Sequence, residues 1–260
     1  SRMSYYQIGQ VYGLMESLAL WAALGILYCL LRYVDEKGDG RKYLIRSCVL
    51  YFAVCFIHER YLALLPLIYL ALLYKKGKKK AGWFLPAGVF AVVMAIRVLT
   101  TGGVAPAGTG GTNVADTFNI MTSLRYAVDQ VLYIFGVNAG PGHLSGASWA
   151  ESPSWIHVQI IAADLALLVL VILAVIRLIR DKEGRRKALR DISLFLVFIA
   201  LCIGASSVTI RVETRWIYVS MTAAYLLAAC LYGLITAKPE HGKVVDIKRE
   251  VRKAADKKAG

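Results

Sequence analysis

An all-α, multi-pass membrane bundle is the fold class this sequence predicts, and three observations predict it. The chain is 58% hydrophobic over 260 residues, with a mean hydropathy of +0.55. Soluble domains are usually about 45–50% apolar. Several apolar runs approach or reach the ~17–25 residues a membrane helix requires. The charge is also segregated: 25 of the 31 Lys and Arg fall in Arg32–Arg46, Lys75–Lys80, Arg177–Asp191 and the tail from Lys238. All five cysteines lie inside apolar runs without CxxC spacing, which reads as small buried hydrophobes rather than a zinc or redox site.

Seven apolar segments follow in order: 9–31, 43–57, 61–74, 82–99, 157–179, 192–210 and 216–236. The positive-inside rule puts the basic loops in the cytoplasm. That rule decides the second and third segments. As one helix, 43–74 would put "VDEKGDGRK" and "KKGKKK" on opposite sides. A break at His58-Glu59-Arg60 restores the alternation and leaves two short, re-entrant-like segments. At about 1.5 Å per residue each is shorter than the ~30 Å hydrocarbon core. Their turn therefore sits within protein or against a wet cavity, where non-helical backbone is tolerated.

The loop 100–156 is then exoplasmic. It opens with glycine-rich coil, Thr100–Thr112. Over 114–136, Phe118, Met121, Leu124, Val128, Val131, Leu132 and Phe135 recur at helical spacing. Two placements stand for this amphipathic helix: on the outer membrane face, or capping the bundle without touching lipid. Trp149, Trp155 and Trp216 fit an outer aromatic belt and Trp83 an inner one. Residues 1–236 form the bundle with its outer loop, and 237–260 a basic cytoplasmic tail. No signal peptide is expected. The opening Ser1-Arg2-Met3 fits a fragment.

Ionisable groups outside the basic loops are few and map to the outer half. Burying them costs at least a few kcal/mol each, so they face a cavity or one another. Two outward turns supply most: His58-Glu59-Arg60, with Tyr61 beside it, and "RVETRW", with Arg211, Glu213 and Arg215. The glycine-rich loop adds Asp116. Arginines suit phosphate because they are planar, permanently charged and multidentate. Four cationic or potentially cationic groups, His58, Arg60, Arg211 and Arg215, fit a lipid-linked phosphate or pyrophosphate. The alternative is structural: Glu59 pairing with Arg215, and Glu213 with Arg60, to pin two hairpins. A proton or ion pathway is a third reading. Asp164 is expected to pair with Arg97. "GTGGT" reads as a flexible loop or lid. No spacing supports a metal at His143 or His157 with Asp116 or Glu151, so no metal or other cofactor is expected. The membrane context excludes a nucleic-acid partner for the net charge of +14, and leaves membrane lipids as partners of the basic tail.

Two stretches carry a resemblance. "FIHERYLALLPLIYLALL" (Phe56–Leu73) resembles the third-and-fourth-helix region of bacterial GT-C-type integral membrane glycosyltransferases, and "SSVTIRVETRWIYVSMTAAYLLAA" (Ser206–Ala229) resembles the late helix pair of related envelope-glycan proteins. The resemblance covers about a fifth of the chain through loose motifs. It implies an inner-membrane enzyme that transfers a sugar from a polyprenyl-phosphate-linked donor to an envelope glycan or protein acceptor on the outer face. The family's turn cation, which contacts the donor phosphate, matches Arg60. The family also places a catalytic carboxylate in its first outer loop. Here the first helix leads inward, so that carboxylate lies upstream of Ser1, or Glu59 or Asp116 serves. Three other functions fit the same chain: a polysaccharide ligase or polymerase using a polyprenyl-pyrophosphate glycan, with His143 as base; a transporter or flippase of an anionic lipid or solute; and a structural subunit.

Overall fold

The computed structural model describes residues 11–75, 81–103, 118–138, 148–208 and 214–237. The side chains of Val11, Tyr12, Ala81, Glu183, Thr214 and Arg215 lie outside that description. Every regular element among the described residues is helical: α1 (Val11–Asp35), α2 (Arg41–Ile57), a 3-10 helix (Glu59–Leu64), α3 (Leu65–Tyr74), α4 (Ala81–Thr101), α5 (Ile120–Ile134), α6 (Ser154–Arg180), α7 (Lys182–Ser207) and α8 (Thr214–Thr236). Five of them, α1, α4, α6, α7 and α8, are long and apolar enough to cross a membrane. The chain is a multi-pass membrane protein.

The core forms where α1, α2, α3 and α7 meet. On α1, Ala19, Ala23, Ile26, Leu27 and Leu30 are buried at helical spacing. Ala19 and Ala23 carry only a methyl group, and small residues of this kind let helices approach closely where lipid removes the hydrophobic drive. The facing seam on α2 is Leu44, Ser47, Cys48, Tyr51, Val54 and Cys55. From α7 come Leu194, Phe195 and Phe198. By contrast α6 buries only Ala174. Its exposed Val158, Ile161, Leu165, Leu168 and Ile172 make a helix apolar all round, as a lipid-bathed span should be.

The helix break falls where the charge alternation requires it. His58 is extended (φ −154°, ψ 121°) and ends α2. The chain resumes as the tighter 3-10 helix and returns through α3. Pro66 sits in the first turn of α3, where its missing N–H has no partner to lose. The buried Tyr51 hydroxyl donates to the Leu62 carbonyl at 3.1 Å, tying α2 to the 3-10 helix.

Two boundaries differ from the sequence reading. The basic stretch after α6 is not a loop: only Asp181 separates α6 from α7. Asp181 accepts from the Gly184 amide at 3.1 Å as an N-cap. The Lys, Arg, Ala and Leu that follow are strong helix formers, so α7 begins ten residues before its apolar part. The outer helix is also shorter than 114–136, starting at Ile120 behind an Asn119 cap that accepts from the Met121 and Thr122 amides.

Contacts between distant segments bring the charged helix ends together. Lys75 Nζ donates to the carbonyls of Tyr33 (2.8 Å) and Glu36 (2.6 Å), closing the carboxyl end of α1. A cation there meets the negative end of the helix dipole, and burial lowers this ammonium's pKa from its ordinary value. Lys187 and Arg190 of α7 each reach Asp35 at 2.6 Å. The bundle thus has a basic end and, at the far ends of α1, α2, α4, α7 and α8, a second end that holds the candidate site.

Candidate functional site

Five ionisable side chains from α1, the hairpin turn and α4 converge at that second end. Arg60, in the 3-10 helix, donates to Glu16 of α1. His58 Nε2 lies 3.8 Å from the other Glu16 oxygen. Glu59 pairs with Arg97 of α4 at 2.6 Å. The Glu16, Arg60 and Arg97 side chains are under a tenth exposed, whereas those of His58 and Glu59 are 36% and 33% exposed. The arrangement has a buried floor and a wetter rim.

Arg60 meets Glu16 and Glu59 meets Arg97. The expected Asp164–Arg97 pair is therefore corrected, while the expected partners Glu213 and Arg215 fall on side chains outside the description. The reason is geometric. The 3-10 helix turns its charged residues toward α1 and α4, and α1 presents Glu16 on that side. Asp164 lies half-buried on the otherwise exposed α6. Glu16 is the site residue absent from the sequence expectations, where Arg97 stood only as the partner of Asp164. A lone carboxylate in the apolar run of α1 was the available signal.

Around Arg60 the surroundings are aromatic and tight. Its guanidinium donates to the Tyr61 hydroxyl at 3.2 Å and lies 5.0 Å from that ring's centre, a favourable cation–π distance. Tyr61, Leu64, Cys202, Trp216 and Val219 line a cavity of about 10 Å³ beside it. Nη1 of Arg60 is buried without a hydrogen-bond partner among the described residues. This cavity holds about one water at most, too little for a phosphate; among the described residues the His58–Glu59 rim is the side of the cluster open to solvent. Trp216 is 5% exposed and faces inward, contrary to its expected place in an outer belt. It also brings the start of α8 beside the hairpin turn.

Arg215 lies in the first turn of the same helix, but its side chain is outside the description. Arg211, Glu213, Asp116, His143, "GTGGT", Lys76–Lys80 and the tail from Lys238 lie outside the described residues. The described cluster alone is charge-balanced when His58 is neutral: two guanidinium groups against two carboxylates. His157 stacks on Trp149, with ring centres 4.1 Å apart, and its Nε2 is 2.7 Å from the Trp149 carbonyl. It thereby braces the loop before α6. Among the described residues, no group of three His, Cys, Asp or Glu is placed to hold a metal ion.

The helix α5 closes this end over α7 and α8. Gln130 is fully buried; its Nε2 donates to Ser207 at 2.8 Å, and its Oε1 accepts from Ser206 at 2.6 Å. Ile120, Met121, Leu124, Val128 and Val131 point outward and are exposed. Asp129 and Gln130 face the protein, with Tyr126, Tyr133 and Ile134 packed around Ile217, while the apolar stripe is exposed together with Thr122 and Arg125.

Comparison of the chain with protein-family models, with curated proteins and with solved structures found no match.

Proposed function

We propose that the chain is an inner-membrane glycosyltransferase. It transfers a sugar from a polyprenyl-phosphate-linked donor to an envelope acceptor on the face opposite the basic loops. One observation carries the reading: buried ion pairs at the polar end, Glu16–Arg60 and Glu59–Arg97, set two groups, His58 and Glu59, on a rim partly open to solvent. In this proposal the seven apolar segments, the short pair around His58-Glu59-Arg60 included, are membrane-embedded, with the carboxyl terminus in the cytoplasm.

Glu59 is the base that accepts the acceptor's hydroxyl proton, which requires hydrogen-bond reach to that hydroxyl. His58 stabilises the departing phosphate at the rim, as electrostatic groups aimed at developing charge do. Arg60 and Arg97 support it from the floor. Arg211 and Arg215 join from the adjacent turn. The helix α5 and the glycine-rich loop exclude water.

The test is transfer from a labelled polyprenyl-phosphate sugar by the protein reconstituted in liposomes. Glu59→Gln should lower the rate at least 10²-fold, the usual lower bound for loss of a positioned base. Wild-type rates in that variant would overturn its role.

A second reading has its own observation. Arg60 is buried and already engages Glu16, as in an ion pair that merely pins α1 to the hairpin. Arg60→Lys separates the two, because it keeps the charge but loses the guanidinium's planar fork. A folded Arg60→Lys protein that transfers at the wild-type rate favours the pin.

A further inference from the structure

At the basic end, α2 and α4 diverge and leave a groove of about 1110 Å³. Its walls are apolar: Val49 and Phe52 from α2, Phe84 and Val92 from α4. All four are substantially exposed. Among the described residues its mouth is ionic, with Lys37, Arg41 and Lys75 against one carboxylate, Asp39. The groove shares no residue with the site at the opposite end.

Two further features shape it. Gly88 lies on its α4 wall, and a Cβ added there would meet nothing within 4 Å. The glycine keeps the groove open rather than permitting a close helix contact. Also, α2 starts at Gly40 with no side-chain cap, leaving its first amides at the mouth beside Arg41. Unsatisfied amides and the positive end of the helix dipole favour an anion.

The dimensions match one class of occupant. From Arg41 to Phe52 the wall rises about 16 Å at 1.5 Å per residue. That is about half of a ~30 Å hydrocarbon core, the depth of a single leaflet. An apolar channel one leaflet deep, with three cations and one carboxylate at its surface end, complements an anionic phospholipid. We infer that this groove binds an anionic phospholipid, acyl chain between α2 and α4 and phosphate at Lys37 and Arg41. Lys75 already spends two of its three hydrogens on the end of α1 and contributes mainly charge.

This inference does not rest on the glycosyltransferase reading, and its test needs no activity. The full chain is purified in detergent from vesicles of equal phosphatidylglycerol and phosphatidylcholine, and retained lipid is quantified by mass spectrometry. Wild-type protein should retain phosphatidylglycerol in clear excess. Removing one mouth cation, by Lys37→Ala or Arg41→Ala, should lower that retention about fivefold. Gly88→Phe fills the groove from inside and should abolish the excess. Gly233→Phe, at another glycine with open space around it, should leave the excess intact. Equal retention of both lipids by the wild type would overturn the inference. So would an undiminished excess in a folded Gly88→Phe protein.

Discussion

The two ends of the bundle solve the same problem differently. Each joins α1 to a distant helix through a carboxylate and an arginine. At the polar end, Glu16 and Arg60 are both under a tenth exposed. At the basic end, Asp35 is 35% exposed and shared between Arg190 and Lys187, the latter 61% exposed. The first pair is shut away from water and depends on its partner. The second is solvated and interchangeable. Exposed pairs contribute about 0–1 kcal/mol, while leaving one member of a buried pair alone costs about 3–5 kcal/mol. The same chemistry therefore acts as a structural lock at one end and as a surface adjustment at the other.

Breaking the lock should give the largest effect. Glu16→Gln leaves the Arg60 guanidinium buried without a counter-charge and should destabilise the protein by about 3–5 kcal/mol, read as a drop of several degrees in thermal unfolding in detergent. Replacing both partners, Glu16→Met with Arg60→Met, should recover most of that loss, because a packed apolar pair avoids desolvation. A double variant as unstable as the single one would mean the charges do more than cancel each other. Next comes Gln130→Leu, at about 1–3 kcal/mol from unmet buried hydrogen bonds. Ser206 and Ser207 can also turn to carbonyls of their own helix, which favours the lower value. Faster amide exchange confined to α5 is the expected readout.

Arg97→Met should cost about 1 kcal/mol, because Glu59 is a third exposed and can take water in place of its partner. The smallest change is Asp35→Asn, below about 1 kcal/mol. Salt sharpens the contrast. Raising ionic strength from 0.1 to 1 M shortens the screening length from about 10 to about 3 Å. The Asp35→Asn deficit should shrink accordingly, while that of Glu16→Gln persists. Equal salt sensitivity at the two ends would undo the distinction between them.

Much of this architecture is legible in the sequence. Apolar run lengths mark the five long spans, and loop charge orders the ends. The demand that basic loops share a side locates the break at His58, although no proline or glycine marks it. The pairing of charges was not legible, because which guanidinium meets which carboxylate depends on the rotation of α1 about its axis and on the path of a six-residue 3-10 helix. Neither leaves a periodic trace. Trp216 failed for a related reason. Aromatic residues near helix ends favour the membrane interface on average, but this one starts α8 on the face turned toward Arg60. The inward Gln130 could have been anticipated, because it falls outside the apolar stripe of α5. What it meets, Ser206 and Ser207, required the fold.

Glu16 and Arg60 are 44 residues apart in the chain, and synthesis runs from the amino end. The carboxylate on α1 therefore reaches the translocation machinery well before its guanidinium exists. During that interval Glu16 lacks its Arg60 partner, which only the later hairpin supplies. Membrane integration of α1 is in this sense provisional. A ribosome-stalled chain ending before His58 should release α1 to alkaline extraction more readily than one extended through α4. The "HERY" turn would then act as a latch set late in biogenesis.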